Sequence, residues 1–245
     1  MGDNAGDRTE MKRRAGERAA ADVPDGAVVG LGTGSTAAHA IDALGRRARD
    51  GADLVGVPTS HQSRRRALDV GLNVCDPDQV ETIDVAVDGA DEVVLADDRD
   101  GDGAIPGGWP DSVLVKGGGA AHARERVVDA AADRLLVVVD PTKRAGTLSA
   151  PVPVEVLPVA VDPASERIER RDGEPTLRRA TEKDGPLVTD NGNWVLDCDF
   201  GTVEEPATLA TWLSAVPGVV AHGLFVDVAN AVYVGRPGGV ERLTV

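Results

Sequence analysis

From Ala27 onward, short runs of β-branched residues alternate with stretches whose apolar positions recur every three or four residues. The runs predict strands at Val28–Leu31, Asp53–Val57, Ile83–Val87, Val113–Val115 and Leu135–Val139, and the periodic stretches predict helices at Thr36–Arg49, Gln62–Val70 and Ala120–Ala132. Strand and helix in alternation imply βαβ units. The expected fold class is therefore α/β, a Rossmann-like open, mostly parallel sheet flanked by helices.

After Pro141 the pattern changes, because Pro151, Pro153 and Pro158 punctuate an extended run. A polar helix is expected at Ala164–Arg171, strand-like segments at Thr176–Thr181 and Leu187–Asp199, and a helix at Pro206–Ala215. This order suggests a smaller α+β subdomain over 151–218, inserted near the C-terminal end of a catalytic α/β domain made of 1–150 and 219–245. Val219–Val228 and Ala231–Val234 are expected to return to the larger domain. The Asp97–Pro110 stretch reads as a mobile polar surface loop.

Composition narrows the function. A chain of 245 residues can bury a substantial core, and its two cysteines, Cys75 and Cys198, have neither C-x-x-C nor metal-ligand spacing. They read as reduced thiols, which makes the cytoplasm the expected compartment. No window approaches the apolar length of a membrane helix, and the first residues lack the apolar run of a signal peptide. A formal net charge of -15 disfavours nucleic acid and anionic membranes as partners.

Lysine is confined to Lys12, Lys116, Lys143 and Lys183, while arginine supplies the other 22 of 26 basic residues. Acidic excess with few lysines fits adaptation to high salt, where screening removes self-repulsion; compositional drift fits it too. In either case the surviving lysines mark places worth inspecting.

Three strand ends hold candidate chemistry. Gly30-Leu-Gly-Thr-Gly-Ser-Thr36 joins a strand to a helix, so its backbone can curl closely and offer helix-start amides to an anion. Its spacing is neither a dinucleotide fingerprint nor a P-loop. A tight turn is the plain alternative. Asp88-Gly-Ala-Asp-Glu92 puts two carboxylates at the edge where open α/β sheets bind ligands, although a carboxylate turn would look the same. Lys116-Gly-Gly-Gly-Ala120 opens the helix bearing Glu125, a residue that could equally sit on a solvated face. Asp140-Pro-Thr-Lys143 brings another lysine to a strand end. Together these groups suit general acid/base chemistry on a phosphorylated polyhydroxy substrate. His39, His61, His122 and His222 show no ligand spacing, so no metal is expected, and His122 reads as a helix surface residue.

Gly32-Thr-Gly-Ser-Thr36, Asp88-Gly-Ala-Asp-Glu92, Lys116-Gly-Gly-Gly-Ala-Ala121 with Glu125, Asp140-x-x-Lys143 and Pro153-Val-Glu-Val156 resemble, in order and across nearly the whole chain, ribose-5-phosphate isomerase of the A type. The resemblance implies interconversion of ribose 5-phosphate and ribulose 5-phosphate through an enediol, a step of the non-oxidative pentose phosphate pathway. It implies Glu125 as base, Asp88 as the ring-opening carboxylate, and Lys116 as oxyanion stabiliser. Asp91 and Lys143 would line the sugar site with Gly89, Ala90, Gly117, Gly118 and Gly119. Thr33, Gly34, Ser35 and Thr36 would meet the substrate, and Lys12 would help bind phosphate. No cofactor is implied, and a homodimer or homotetramer is. The Asp97–Pro110 stretch is longer than the family's usual link. A sugar-phosphate-sensing regulator and another sugar-phosphate isomerase or deaminase are the rival readings. The roughly 26 residues before the first strand are too few for a DNA-binding module, which weighs against the regulator.

Overall fold

The computed structural model describes residues 4–98, 109–182 and 184–245. Most of the expected Asp97–Pro110 loop, and Lys183, lie outside the described residues. The chain divides into two compact units, the first being Met1–Ala90, Val127–Arg144 and Val228–Val245, the second Asp91–Arg126 and Ala145–Asp227.

The first unit is built on one sheet. Its strands are β1 (Val28–Leu31), β2 (Val55–Pro58), β3 (Asn73–Val74), β4 (Val85–Asp88), β7 (Leu135–Val139), β13 (Ala231–Arg236) and β14 (Gly239–Thr244). They stand in the order β14-β13-β7-β4-β1-β2-β3, all pairs parallel except β13 with β14. The run β3-β2-β1-β4-β7-β13 is the strand order of a doubly wound sheet, so the chain reverses direction between β1 and β4. β7 is buried along its whole length, as a central parallel strand covered on both faces must be.

Helices α1 (Asn4–Ala21), α2 (Ser35–Arg49) and α3 (His61–Asp69) belong to this unit. Ala15, Ala19 and Ala20 of α1 and Ala40, Ile41 and Leu44 of α2 share one buried core with Val29, Val85 and Val138 of the strands. Small residues let α1 and α2 approach closely: a Cβ on Gly16 would sit 2.7 Å from the Ala40 nitrogen.

The second unit holds two antiparallel sheets. β5 (Glu92–Leu95), β6 (Ser112–Val115) and β12 (Leu224–Val226) form one, in the order β12-β6-β5. β8 (Val152–Val156), β9 (Glu174–Leu177), β10 (Trp194–Asp199) and β11 (Val219–His222) form the other, in the order β11-β8-β10-β9. Helices α5 (Val161–Glu169) and α6 (Pro206–Ser214) bury Ala164, Ile168, Leu209 and Leu213 in a core shared with Val154, Val156 and Leu196. Helix α4 (His122–Ala131) contains the point at which the chain passes from the second unit to the first.

This arrangement corrects two expectations. Val113–Val115 pairs antiparallel with β5 and β12 and takes no place in the parallel sheet. Val219–Val226 stays with the second unit, and the return to the parallel sheet begins only at Ala231. The division at Asp91 and Val228 accordingly differs from one at 151 and 218. The strand expected over Leu187–Asp199 is regular only from Trp194, because Thr189–Gly192 turns over Glu155.

Glu155 has no exposed surface, and one of its oxygens accepts from Thr189 Oγ1 at 2.9 Å, Asn191 Nδ2 at 3.0 Å and Asn193 Nδ2 at 2.8 Å. A buried carboxylate is tolerable only with such donors. Glu155→Ala is expected to lower the unfolding free energy by about 3 kcal/mol or more, since each hydrogen bond to a charged group is worth about 1.5–3 kcal/mol. Urea unfolding measures this, and a change within error would remove Glu155 as the anchor of the turn.

Candidate active site

In the first unit the glycine loop leaves β1 at the topological switch point. Gly34 caps α2 with φ +111° and ψ 176°, a backbone state for which glycine is suited, and no side chain caps the helix start. Gly32 is constrained by contact instead. A Cβ there would run into the Asp88 carboxylate and lie 2.5 Å from the Asp88 Cα. This closeness lets Asp88, 1% exposed at the end of β4, accept from the Thr33 N–H at 3.1 Å and the Gly89 N–H at 2.7 Å. The Thr33 hydroxyl is tied to Thr59 at 2.9 Å and Ser60 at 2.6 Å.

From α1, the Lys12 ammonium donates to the Ser35 hydroxyl at 3.0 Å and stands 3.8 Å from the buried Asp140 carboxylate. Asp140 is held from its other oxygen by the Thr142 N–H at 3.0 Å and the Thr142 hydroxyl at 2.5 Å. Lys143 follows on the single turn Pro141–Lys143. The structure thus brings Lys12, Ser35 and Asp140 together, and separately Thr33 with Asp88. Thr36 is nearly buried in the first turn of α2, whereas Gly89 and Ala90 occupy the turn after β4. A pocket of about 270 Å³ opens beside this loop, lined by Gly32, Thr33, Gly34, Gln62, Ser63 and Arg66 among others.

In the second unit the Lys116–Ala121 segment leaves β6 and starts α4. Lys116 is 2% exposed and Glu125 4% exposed, with Nζ and Oε2 3.6 Å apart. Lys116 also stands 5.3 Å from the centroid of the Phe225 ring, against which Arg126 packs at 4.4 Å. Aromatic rings attract cations most strongly when water is excluded. The Asp91 carboxylate accepts from the Gly118 N–H at 2.7 Å. Glu125 is therefore in the first turn of α4 but not on a solvated face, and the motif's lysine is its partner.

Sequence reasoning missed several neighbours. Phe225 lies on β12 and Arg178 just after β9, each remote in sequence from the loop it contacts. His122, expected at a helix surface, has no exposed area, and a Cβ on Gly117 would approach its Nδ1 to 2.7 Å. Burial, then the charge of Arg178, repulsion from His222 when that ring is protonated, and the charge of Arg126, push the His122 pKa down to about 3. His222 is likewise lowered to about 3 by burial and by Arg126. Its Nδ1 faces the Leu224 N–H at 3.3 Å and an Arg126 nitrogen at 3.2 Å, so the proton belongs on Nε2, toward the Ser214 hydroxyl at 3.0 Å. Among the described residues no cluster of three or more His, Cys, Asp or Glu could hold a metal ion, and no helix is long and apolar enough to cross a membrane.

A buried carboxylate beside an ammonium is suited chemically to proton transfer, and a helix start at the switch point of a doubly wound sheet is suited to an anionic ligand. The α/β fold and the proteins this chain resembles make it an aldose-ketose isomerase. The family model described as ribose 5-phosphate isomerase A (phosphoriboisomerase A) matches residues 55–239. Ribose-5-phosphate isomerase A of Haloarcula marismortui is 55% identical over 234 residues, 96% of this chain and 95% of its own. The enzyme of Halobacterium salinarum is 54% identical over 238 residues, covering 97% of each. The solved structure from Methanocaldococcus jannaschii matches with a TM-score of 0.86 at 34% identity, over 96% of this chain and 98% of that one. A D-ribose-5-phosphate isomerase solved in complex with phospho-erythronic acid matches with a TM-score of 0.88 at 38% identity, over 96% and 98%. The chain belongs to the ribose-5-phosphate isomerase A family and interconverts ribose 5-phosphate and ribulose 5-phosphate.

The two neutral histidines give stability a defined pH dependence. Their folded pKa values lie below the ordinary 6.5, so between about pH 6.5 and 3 the unfolded chain binds protons that the folded chain refuses. Stability present above 6.5 is lost as pH falls through this window, by up to about 1.4 kcal/mol per histidine per pH unit. Thermal unfolding should show His222→Gln with a shallower loss between pH 6.5 and 4.5 than the parent, and equal slopes would contradict the neutral assignment.

Proposed function

We propose that the isomerisation proceeds with Glu125 as the base that moves the substrate proton. Asp88 assists opening of the ribose ring. Glu125 takes the proton from C2 of the open aldose, that C–H electron pair forms the C1–C2 double bond and the C1 carbonyl pair moves onto O1; the O2 hydroxyl proton passes to O1, and as the C2 carbonyl forms the same carboxyl group returns its proton to C1. No electron leaves the substrate, so the step balances without an oxidant. Lys116 and the loop amides beside it that do not hold Asp91 stabilise the oxygen that gains charge. Lys12, Ser35 and the start of α2 take the phosphate, with Thr33, Gly34, Thr36, Asp91 and Lys143 completing the binding groups.

The carrying observation is the Lys116–Glu125 pair, because both charges are nearly dry at a place where structure alone gains little from them. Phospho-erythronic acid bound to a relative supports the reading. Its planar anionic carboxylate resembles an enediolate in shape and charge. Cytoplasmic residence, the non-oxidative pentose phosphate pathway and a homodimer or homotetramer belong to the same proposal on the ground of family membership; sedimentation as a monomer would remove the assembly part.

Glu125→Gln should keep ribose 5-phosphate binding and lose turnover by about a hundredfold or more, the usual scale for removal of a positioned base. Near-normal turnover in a coupled ketose assay would refute the base assignment. The two lysines should separate kinetically. Lys12→Ala touches a phosphate whose charge does not change and should raise KM about tenfold, whereas Lys116→Ala should lower kcat by about a hundredfold because its partner oxygen becomes charged only during reaction. An unchanged KM in the first variant, or an effect on KM alone in the second, would contradict these roles.

A further inference from the structure

The Lys116–Ala121 segment is gripped by a residue that no motif contains. Arg178 Nη1 donates to the Gly117 carbonyl at 2.9 Å and the Gly118 carbonyl at 3.2 Å. The rest of its guanidinium is paired with both oxygens of Asp197, with Nε at 2.9 Å from Oδ2. Asp197 stands on β10, and the Arg178 backbone is itself tied on both sides, its N–H to the Val195 carbonyl at 2.8 Å and its carbonyl to the Leu187 N–H at 2.9 Å. This guanidinium is only partly exposed, its side chain at 16% of full accessibility. It is fixed before any ligand arrives.

Peptide planarity converts that grip into an aim. The Gly117 carbonyl shares a rigid trans unit with the Gly118 N–H, and the Gly118 carbonyl shares one with the Gly119 N–H, so each N–H points opposite to the oxygen that Arg178 holds. The Gly118 N–H shows the consequence, since it meets the Asp91 carboxylate at 2.7 Å. Ala120 adds a second sign of constraint. Its φ of +57° is left-handed, a state costing an alanine roughly 1–2 kcal/mol and kept only where surrounding contacts impose it. A surface ion pair would explain Arg178 with Asp197, yet it would leave the two loop carbonyls unaccounted for.

We propose that Arg178, oriented by Asp197, is a positioning residue: through the Gly118 carbonyl it fixes the Gly119 amide for the oxygen that becomes negative during isomerisation, and through the Gly117 carbonyl it holds the Gly118 amide on Asp91. The proposal rests on the assignment of Glu125 and the Lys116 loop to that step. Loss of the grip leaves substrate binding intact and loosens groups needed in the transition state, so the effect falls on kcat.

The test uses the full-length protein with Arg178→Ala, Arg178→Lys and Asp197→Asn, with Glu125→Gln in parallel, each checked by circular dichroism and thermal unfolding. Arg178→Ala is expected to lower kcat by about 10- to 100-fold with KM within about threefold of the parent. Millimolar guanidinium, far below denaturing concentration, should restore part of that kcat, while sodium chloride at equal ionic strength should not. Arg178→Lys should remain impaired, since an ammonium cannot hold two carbonyls and a carboxylate in one plane. Asp197→Asn should show a smaller loss of the same kind. Parental kcat in Arg178→Ala, or a loss that guanidinium does not relieve, would overturn the proposal, the second outcome marking Arg178 as a fold residue only. If Glu125→Gln is inactive while Arg178→Ala is normal, the grip alone is wrong; if Glu125→Gln turns over normally, the base assignment fails whatever Arg178 does.

Discussion

An ammonium and a carboxylate 3.6 Å apart, both almost without water, set the terms for the second unit. Withdrawing either ion from water costs several kcal/mol, so neither would survive there without the other and without further polar neighbours. The surroundings answer that demand. β6 delivers Lys116 at its end, the Lys116 N–H bonds the Gly223 carbonyl at 2.8 Å, and β12 then places the Phe225 ring beside the ammonium. Gly223 has to be glycine in this packing, because a Cβ would strike the Lys116 carbonyl. α4 begins where the glycine segment ends and presents Glu125 from its first turn. Buried ion pairs are poor devices for stability, which is why this one reads as chemistry retained at a cost.

Charge is handled differently elsewhere. The arginines of the helices meet carboxylates at the surface, as Arg66 does with Asp42, Arg64 with Asp76 and Arg170 with Glu166. Such exposed pairs contribute about 0–1 kcal/mol each and are screened by salt. They distribute a large acidic excess without deciding the fold. Lys12 and Lys116 both reach buried carboxylates, Asp140 and Glu125. A compact ammonium on a flexible stem can approach one oxygen of a small ligand, where a planar guanidinium needs a wide face. Arg178 illustrates the converse: its planar fork spans a carboxylate and two peptide carbonyls at once.

The glycine loop of the first unit and the glycine segment of the second use the same residue type for different ends. Gly32 is small because Asp88 lies against it, which allows that carboxylate to collect backbone donors on one oxygen. After Lys116 glycine serves conformation as well as space: Gly117 takes a φ of +105°, and a Cβ on Gly117 or Gly118 would run into His122 or the Asp91 carboxylate.

By itself the sequence determined the α/β class, the alternation from β1 to α3, the motifs with Glu125 and Lys116, and the helix start after Gly34. These are local properties: buried faces leave a period in the chain, and a strand-to-helix turn needs glycine where the backbone curls or is approached. Only the tertiary structure decided that Val113–Val115 joins an antiparallel sheet with β5 and β12, since a short apolar run looks the same in any buried strand. Tertiary packing also buried His122 and Glu125, for one turn of helix does not reveal what covers it. It alone brought Arg178 to the Gly117 and Gly118 carbonyls, because that contact joins residues about sixty positions apart and depends on strand register, which no spacing within either segment encodes.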